Sequence, residues 1–196
     1  MKVFVNPGHA PGGVPDPGAV GHGLVEALVV EKIGRRVTLH LREAGLEVYC
    51  LQSDNVGGGV GLSVTAEANQ WDADCFVSIH ANSAADSFAH GVETFCYSRG
   101  GASEALAACI QSQMVEALPL ADRGVKERPG LYVLSHTEMP AVLVEVGFLS
   151  NEGDADLVKA RWEDMAAAIA RGVTDWEQAV YCDDDGYPDD GYPDDE

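Results

Sequence analysis

Cys75-Phe76-Val77-Ser78-Ile79 is a run with a single small polar residue, closed by His80-Ala81-Asn82. Such a short, nearly continuous apolar run reads as a strand covered on both faces, as in a parallel sheet packed between helices. Ala141-Val142-Leu143-Val144-Glu145-Val146 has the same character, and Lys2–Asn6 is a shorter version ending at Pro7-Gly8. Leu46–Leu51 and Gly91–Tyr97 add two more strands, and Leu131–Leu134 reads as another. Helical segments lie between and after them. Leu24–Ala44 places Leu24, Leu28, Ile33, Val37 and Leu41 near one face before Gly45 stops it. A short helix is expected over Ser63–Ala73, and longer ones over Ser103–Leu118 and Asp154–Val173. This alternation predicts an α/β fold with a mostly parallel sheet.

The chain has 196 residues, 46% of them apolar, which suits one domain with a substantial core. Its net charge is −20, and Asp183–Glu196 contains only acidic charges. That balance argues against a nucleic-acid partner, which needs clustered Lys and Arg. The last stretch repeats Gly-Tyr-Pro-Asp-Asp at Gly186 and again at Gly191. With so little apolar area it is expected to be a disordered acidic tail, so the division is a domain over 1–175 and a tail over 176–196. No apolar stretch approaches the length of a membrane span, and the first residues do not read as a signal peptide. Cys50, Cys75, Cys96, Cys109 and Cys182 are odd in number and form no CxxC pair. They read as free thiols of a protein made in a reducing compartment, the cytoplasm. The loops Ala10–Gly23 and Asn55–Gly61 are rich in glycine, and the first is long enough to be functional.

Polar residues with chemical potential gather at strand ends, where α/β folds place their ligands. His9 follows the first strand, His80 follows Ile79, and Glu145 interrupts Val142–Phe148. A carboxylate inside such an apolar run is costly unless it is received by partners. It is either a structural ion pair or edge position, or a general acid/base whose pKa is raised by a dry setting. Two histidines and a carboxylate are a common ligand set for a catalytic zinc. His9 and His80 are the histidine candidates, each with a plain surface or hydrogen-bonding alternative. For the carboxylate, Glu26 competes with Glu31, and Glu26 also reads as a helix-start acid offsetting the dipole. His22 and His136 remain open as further ligands or cleft residues, while His40 and His90 read as solvated helix and loop positions.

Taken in order, several segments resemble a known family. They are Asn6-Pro7-Gly8-His9, Asp16-Pro17-Gly18-Ala19-Val20-Gly21, Gly23-Leu24-Val25-Glu26, Phe76-Val77-Ser78-Ile79-His80-Ala81-Asn82 and Gly91-Val92-Glu93-Thr94. Asp122-Arg123-Gly124-Val125-Lys126, Leu131-Tyr132-Val133-Leu134 and Pro140–Asn151 complete the set. The chain is similar over residues 1–173 to the zinc-dependent N-acetylmuramoyl-L-alanine amidases of the Amidase_3 type. The resemblance implies a three-layer sandwich with a six-stranded, mostly parallel sheet flanked by helices. It implies one Zn²⁺ held by His9, Glu26 and His80, with Glu145 as catalytic residue, acting on peptidoglycan between N-acetylmuramic acid and L-alanine. A monomer acting on the cell wall is expected, released by lysis or during sporulation. Two places depart from the family pattern: Gln52-Ser53-Asp54 replaces a Thr-Arg and Asp, and Val64 stands where many members carry arginine. Rival readings are a zinc peptidase cutting another bond of the peptide stem, and an inactive wall-binding protein that keeps the fold. A nucleotide-binding reading lacks a GxGxxG after the first strand.

Overall fold

The computed structural model describes residues 1–57 and 63–182. Most of the glycine-rich loop's centre and the acidic tail Asp183–Glu196 lie outside the described residues. Among the described residues, six strands form one sheet in the order β4-β1-β5-β8-β6-β7. These are β1 (Lys2–Pro7), β4 (Glu47–Cys50), β5 (Cys75–Asn82), β6 (Val92–Cys96), β7 (Asp122–Glu127) and β8 (Ala141–Phe148). All neighbours run parallel except β6 and β8, which are antiparallel. A two-stranded hairpin, β2 (Val20–Gly21) with β3 (Leu24–Val25), sits in the loop after β1.

The two faces of the sheet are covered differently. Val3, Val5, Val77, Ile79, Val142, Val144 and Val146 point toward one face and join the larger core. Helices α1 (Glu26–Glu43), α3 (Ala102–Ala117) and α5 (Glu152–Cys182) supply the rest of it through residues such as Ile33, Ile110 and Ile169. The alternate positions, Phe4, Phe76, Phe95 and Leu143, face the other way and pack under Val64 and Ala68 of α2 (Val64–Gln70) and Val133 and Leu134 of α4 (Tyr132–Ser135). Because side chains alternate with period two, the residues continuing that second face are Asn6, Ser78, His80, Glu145 and Glu93. The second face is therefore apolar at one end of the strands and polar at the other. The polar end is where β1, β5 and β8 finish.

The structure bears out the expected α/β architecture and corrects several details. Leu131–Leu134 is not a strand. Its residues curl into the short α4, in which Ser135 and His136 amides bond to the carbonyls of Leu131 and Tyr132. The missing edge strand is Asp122-Arg123-Gly124-Val125-Lys126-Glu127, too polar to show an apolar period because only one flank is paired. Helix α1 begins at Glu26, where the Glu26 amide bonds to Ala19 O at 2.8 Å, so Leu24 belongs to β3. Its buried stripe is Ala27, Val30, Ile33, Val37 and Leu41, and Leu28 is 48% exposed. Helix α5 starts at Glu152 with Asn151 Oδ1 accepting the Asp154 amide at 3.0 Å, and it runs on to Cys182, past Val173. Cys50, Cys75, Cys96 and Cys109 are free thiols, as the composition suggested.

Helices α3 and α5 meet closely at Gly172. A Cβ placed there would lie 2.4 Å from Ile110 Cα, a backbone atom that cannot yield without moving α3. Alanine is the better helix former by about 1 kcal/mol. Gly172→Ala is nevertheless expected to destabilise the protein by about 1–3 kcal/mol through overpacking. Thermal or denaturant unfolding checks this, and a more stable variant would contradict the packing described.

Candidate functional site

At the polar end of the sheet, Glu26 gathers three segments of chain. Its Oε1 lies 2.9 Å from His9 Nε2 and 2.9 Å from His80 Nδ1, and it accepts the Ala81 amide at 3.0 Å. Oε2 accepts the Ala19 amide at 2.7 Å. His9 sits just beyond β1 with φ 66°, a left-handed conformation uncommon for a residue with a side chain, and its Nδ1 is 2.8 Å from Asp16 Oδ2. Asp16 therefore turns Nε2 of His9 inward. His80 lies against Gly8, where a Cβ would fall 2.2 Å from His80 Cε1. Only glycine leaves room for the ring, which gives the Pro7-Gly8-His9 turn a steric reason.

The protonation pattern follows from these contacts. The hydrogen bond to Glu26 raises the pKa of His9 above its ordinary 6.5, to about 9; burial opposes this and Asp16 adds to it. For Glu26, burial works against ionisation, but the hydrogen bonds from His80 and His9 outweigh it and hold its pKa well below the usual carboxylate range. One donor atom each from His9, Glu26 and His80 lie within 4.8 Å of one another, an arrangement that could hold a metal ion. Glu31 is turned away, bonded to Arg35 on the exposed side of α1. His22 is exposed, and His136 stacks on Tyr132 at 3.7 Å between ring centroids; neither joins the group.

Glu145 stands next to this group. It is in register with His80 on β5 and with Glu93 on β6. Its Oε2 is buried without a hydrogen-bond partner. Burial, reinforced by the negative charges of Glu26 and Glu93, raises its pKa from an ordinary 4.5 to about 8. Glu93 is ionised instead: burial disfavours that state, but Lys126 and Arg123 overcome it and lower its pKa. Two neighbouring carboxyl groups are thereby separated into a charged one and one able to hold a proton.

The sequence reading missed Asp16 and Gln52 as parts of the site. Gln52 donates from Nε2 to the carbonyls of Gly8 at 3.0 Å and Ala27 at 2.9 Å, tying together the segments that carry His9 and Glu26. The signal for Asp16 was its place in the loop between the two. Gln52 left only its departure from the family pattern. Val64, the other departure, is fully buried in the smaller core and takes no part in the polar cleft.

Two histidines and a carboxylate at the rim of a parallel sheet, beside a carboxyl group poised to exchange a proton, form a layout suited to metal-assisted hydrolysis. The chain belongs to the Amidase_3 family, N-acetylmuramoyl-L-alanine amidase, whose profile matches residues 3–175. It is 42% identical over 176 residues to the protein YqiI of Bacillus subtilis strain 168, covering 87% of this chain and 82% of that one. It is 35% identical over 174 residues to the sporulation-specific N-acetylmuramoyl-L-alanine amidase of the same organism, covering 88% of this chain but 65% of that protein. The N-acetylmuramoyl-L-alanine amidase AmiC2 of Nostoc punctiforme has a similar structure. Its TM-score is 0.80 at 32% identity, over 91% of this chain and 97% of that one.

The raised pKa of Glu145 makes a stability prediction for the metal-free protein. The contribution of protonated Glu145 is full below about 4.5 and is lost as pH rises through about 8. Glu145→Gln removes this loss. Between pH 5 and pH 8 the stability of the variant relative to the parent is expected to rise by roughly 1–3 kcal/mol. Unfolding of both proteins at the two pH values measures it. An equal difference at both would show that Glu145 is already ionised.

Proposed function

We propose that the protein is a zinc-dependent N-acetylmuramoyl-L-alanine amidase. It hydrolyses the amide between N-acetylmuramic acid and L-alanine of peptidoglycan, with residues 1–175 as the catalytic domain. The observation that carries this reading is the convergence of His9, Glu26 and His80 with Glu145 in register beside His80. Family membership supports the substrate and the bond. His9, Glu26 and His80 are the residues that would hold one Zn²⁺, a donor set that suits it. When bound there, zinc supplies a Lewis acid that acidifies water and polarises the amide carbonyl.

The remaining roles fall to the chain itself. Asp16 orients His9, and the Ala19 and Ala81 amides fix the Glu26 carboxylate. Glu145 takes the proton of the attacking water on its unpartnered Oε2 and delivers it to the departing nitrogen of L-alanine. No helix among the described residues is long and apolar enough to cross a membrane. The protein works as a monomer made in the cytoplasm, and it meets the wall through lysis or during sporulation, a setting named for the B. subtilis relative.

Digestion of purified peptidoglycan followed by mass spectrometry tests the reaction. Free stem peptides beginning with L-alanine are expected, lost on metal stripping and restored by zinc; cuts at another bond would refute it. Glu145→Gln is expected to lower kcat by about 10²–10⁴-fold with zinc retained. His80→Ala is expected to lower zinc content, measurable by metal analysis. Zinc must also displace a proton, because metal-free His9 titrates near pH 9. Affinity should therefore climb from pH 6 to pH 8 with proton release, seen by calorimetry in buffers of different ionisation heat. A pH-independent affinity would show that His9 carries no proton for zinc to displace, contradicting its raised pKa.

A further inference from the structure

Beyond Glu145, the polar row across the sheet continues to two cations that the proposed mechanism does not use. Strand β6 runs against β8, so its first residues, and those of β7, lie at the rim where β1, β5 and β8 end. The pairing of β6 with β7 shifts register there. Val92 faces Asp122, yet Thr94 faces Val125, so Arg123 and Gly124 together oppose Glu93. This is a β-bulge, rare between parallel strands and a means of re-aiming a side chain. Gly124 takes it with φ 74°, and Asp122 Oδ1 pins it by accepting the Gly124 amide at 2.8 Å and Gln111 Nε2 at 2.7 Å.

The bulge brings Arg123 and Lys126 to the same carboxylate oxygen. Arg123 Nε donates to Glu93 Oε2 at 2.9 Å, and Lys126 Nζ donates to that oxygen too. Glu93 Oε1 is taken by Asn82 Nδ2 at 2.9 Å. Two cations thus share one anion, leaving a positive charge over, in a chain whose net charge is −20. Glu93 is buried beneath them, whereas the side chains of Arg123 and Lys126 remain 34% and 38% exposed. The guanidinium lies 4.8 Å over the Phe148 ring, which holds it flat at the end of β8. Its Nη1 reaches only His90 O at 3.4 Å. Both cations hold Glu93 ionised from one side, and their exposed faces, presented by the bulge, remain open to a ligand.

We propose that Arg123 and Lys126 form a carboxylate-binding subsite for the peptide that leaves with L-alanine, an inference that rests on the amidase reading above. Strands are about 4.8 Å apart, so two strands from His80 to Glu93 is roughly 10 Å. An extended peptide advances about 3.4 Å per residue, which places the second or third stem residue over the cations. The recognised group is a free carboxylate there, bound by charge-assisted hydrogen bonds.

The test uses the zinc-loaded protein and synthetic N-acetylmuramoyl tripeptides. One carries free carboxylates on residues two and three, two carry a single carboxamide at either residue, and the last carries both. The parent is expected to prefer the free carboxylate at one of these residues by at least tenfold in kcat/KM, mainly through KM. The singly amidated pair tells which residue is read. The preference should shrink with rising salt and fall toward unity in Arg123→Gln and Lys126→Met. A parent without preference, or variants that keep it, would overturn the subsite. If a variant does not fold, the parent's preference and its salt dependence still decide. Cleavage of the doubly amidated peptide at the L-alanine bond keeps this test separate from the amidase reading, which fails only if none of the four is cut there.

Discussion

The Glu26 carboxylate is the point on which the polar end of the molecule depends. It stands at the first position of α1, yet it bonds to a histidine beyond β1, a histidine within β5 and two backbone amides from separate segments. A buried carboxylate without those partners would be strongly disfavoured. With them, it stays ionised and fixes where α1 begins, how the loop after β1 folds back, and how the two imidazoles face each other. The cost of burying one charge is offset by the two imidazoles and two amides that bond to it, and these come from three segments. The same arrangement brings three donor atoms within 4.8 Å.

A second constraint comes from the alternation of side chains along the strands. The face under α1, α3 and α5 is apolar apart from Thr94, which bonds to Gln111 of α3, and this is why Val77, Ile79, Val142 and Val144 could be read as buried without knowing the fold. On the opposite face the same strands change from Phe4, Phe76 and Leu143 to Asn6, Ser78, His80 and Glu145. A cleft is what remains when an apolar cover ends and the strands continue. Ser78 donates to Asn6 Oδ1 at 2.9 Å in the floor of that region, so even its fully buried polar groups are paired. Glu145 Oε2 is an exception, as is Gln52 Oε1 behind the histidines, and an unpaired carboxyl oxygen beside them marks chemistry more clearly than composition does.

Much of this was legible in the sequence, for identifiable reasons. Strands β1, β5 and β8 carry their signal because both faces are covered there, and Glu145 is conspicuous only against such a background. The edge strand β7 carries none: Asp122, Arg123 and Lys126 serve the rim, and one flank has no pairing to demand apolar residues. Leu131–Leu134 misled because four apolar residues fit a strand or a helical turn equally well. In α1 the reading was right for Ile33, Val37 and Leu41 but wrong for Leu24 and Leu28, because the helix start is set by Glu26 and Ala19, a contact across the loop that periodicity does not see. Within the site, His9 and His80 stood at strand ends, but the choice of Glu26 over Glu31 needed either the family pattern or the fold. Asp16 and Gln52 act by holding other residues, so their roles appear only in three dimensions.

The most direct measurement of the central claim is anomalous scattering at the zinc edge from crystals of the zinc-loaded protein. The account predicts one strong peak among His9, Glu26 and His80, with Glu145 near it but not bound to it. A peak at other residues, or zinc held with Glu145 in place of Glu26, would contradict the assignment of ligand and proton carrier on which the rest is built.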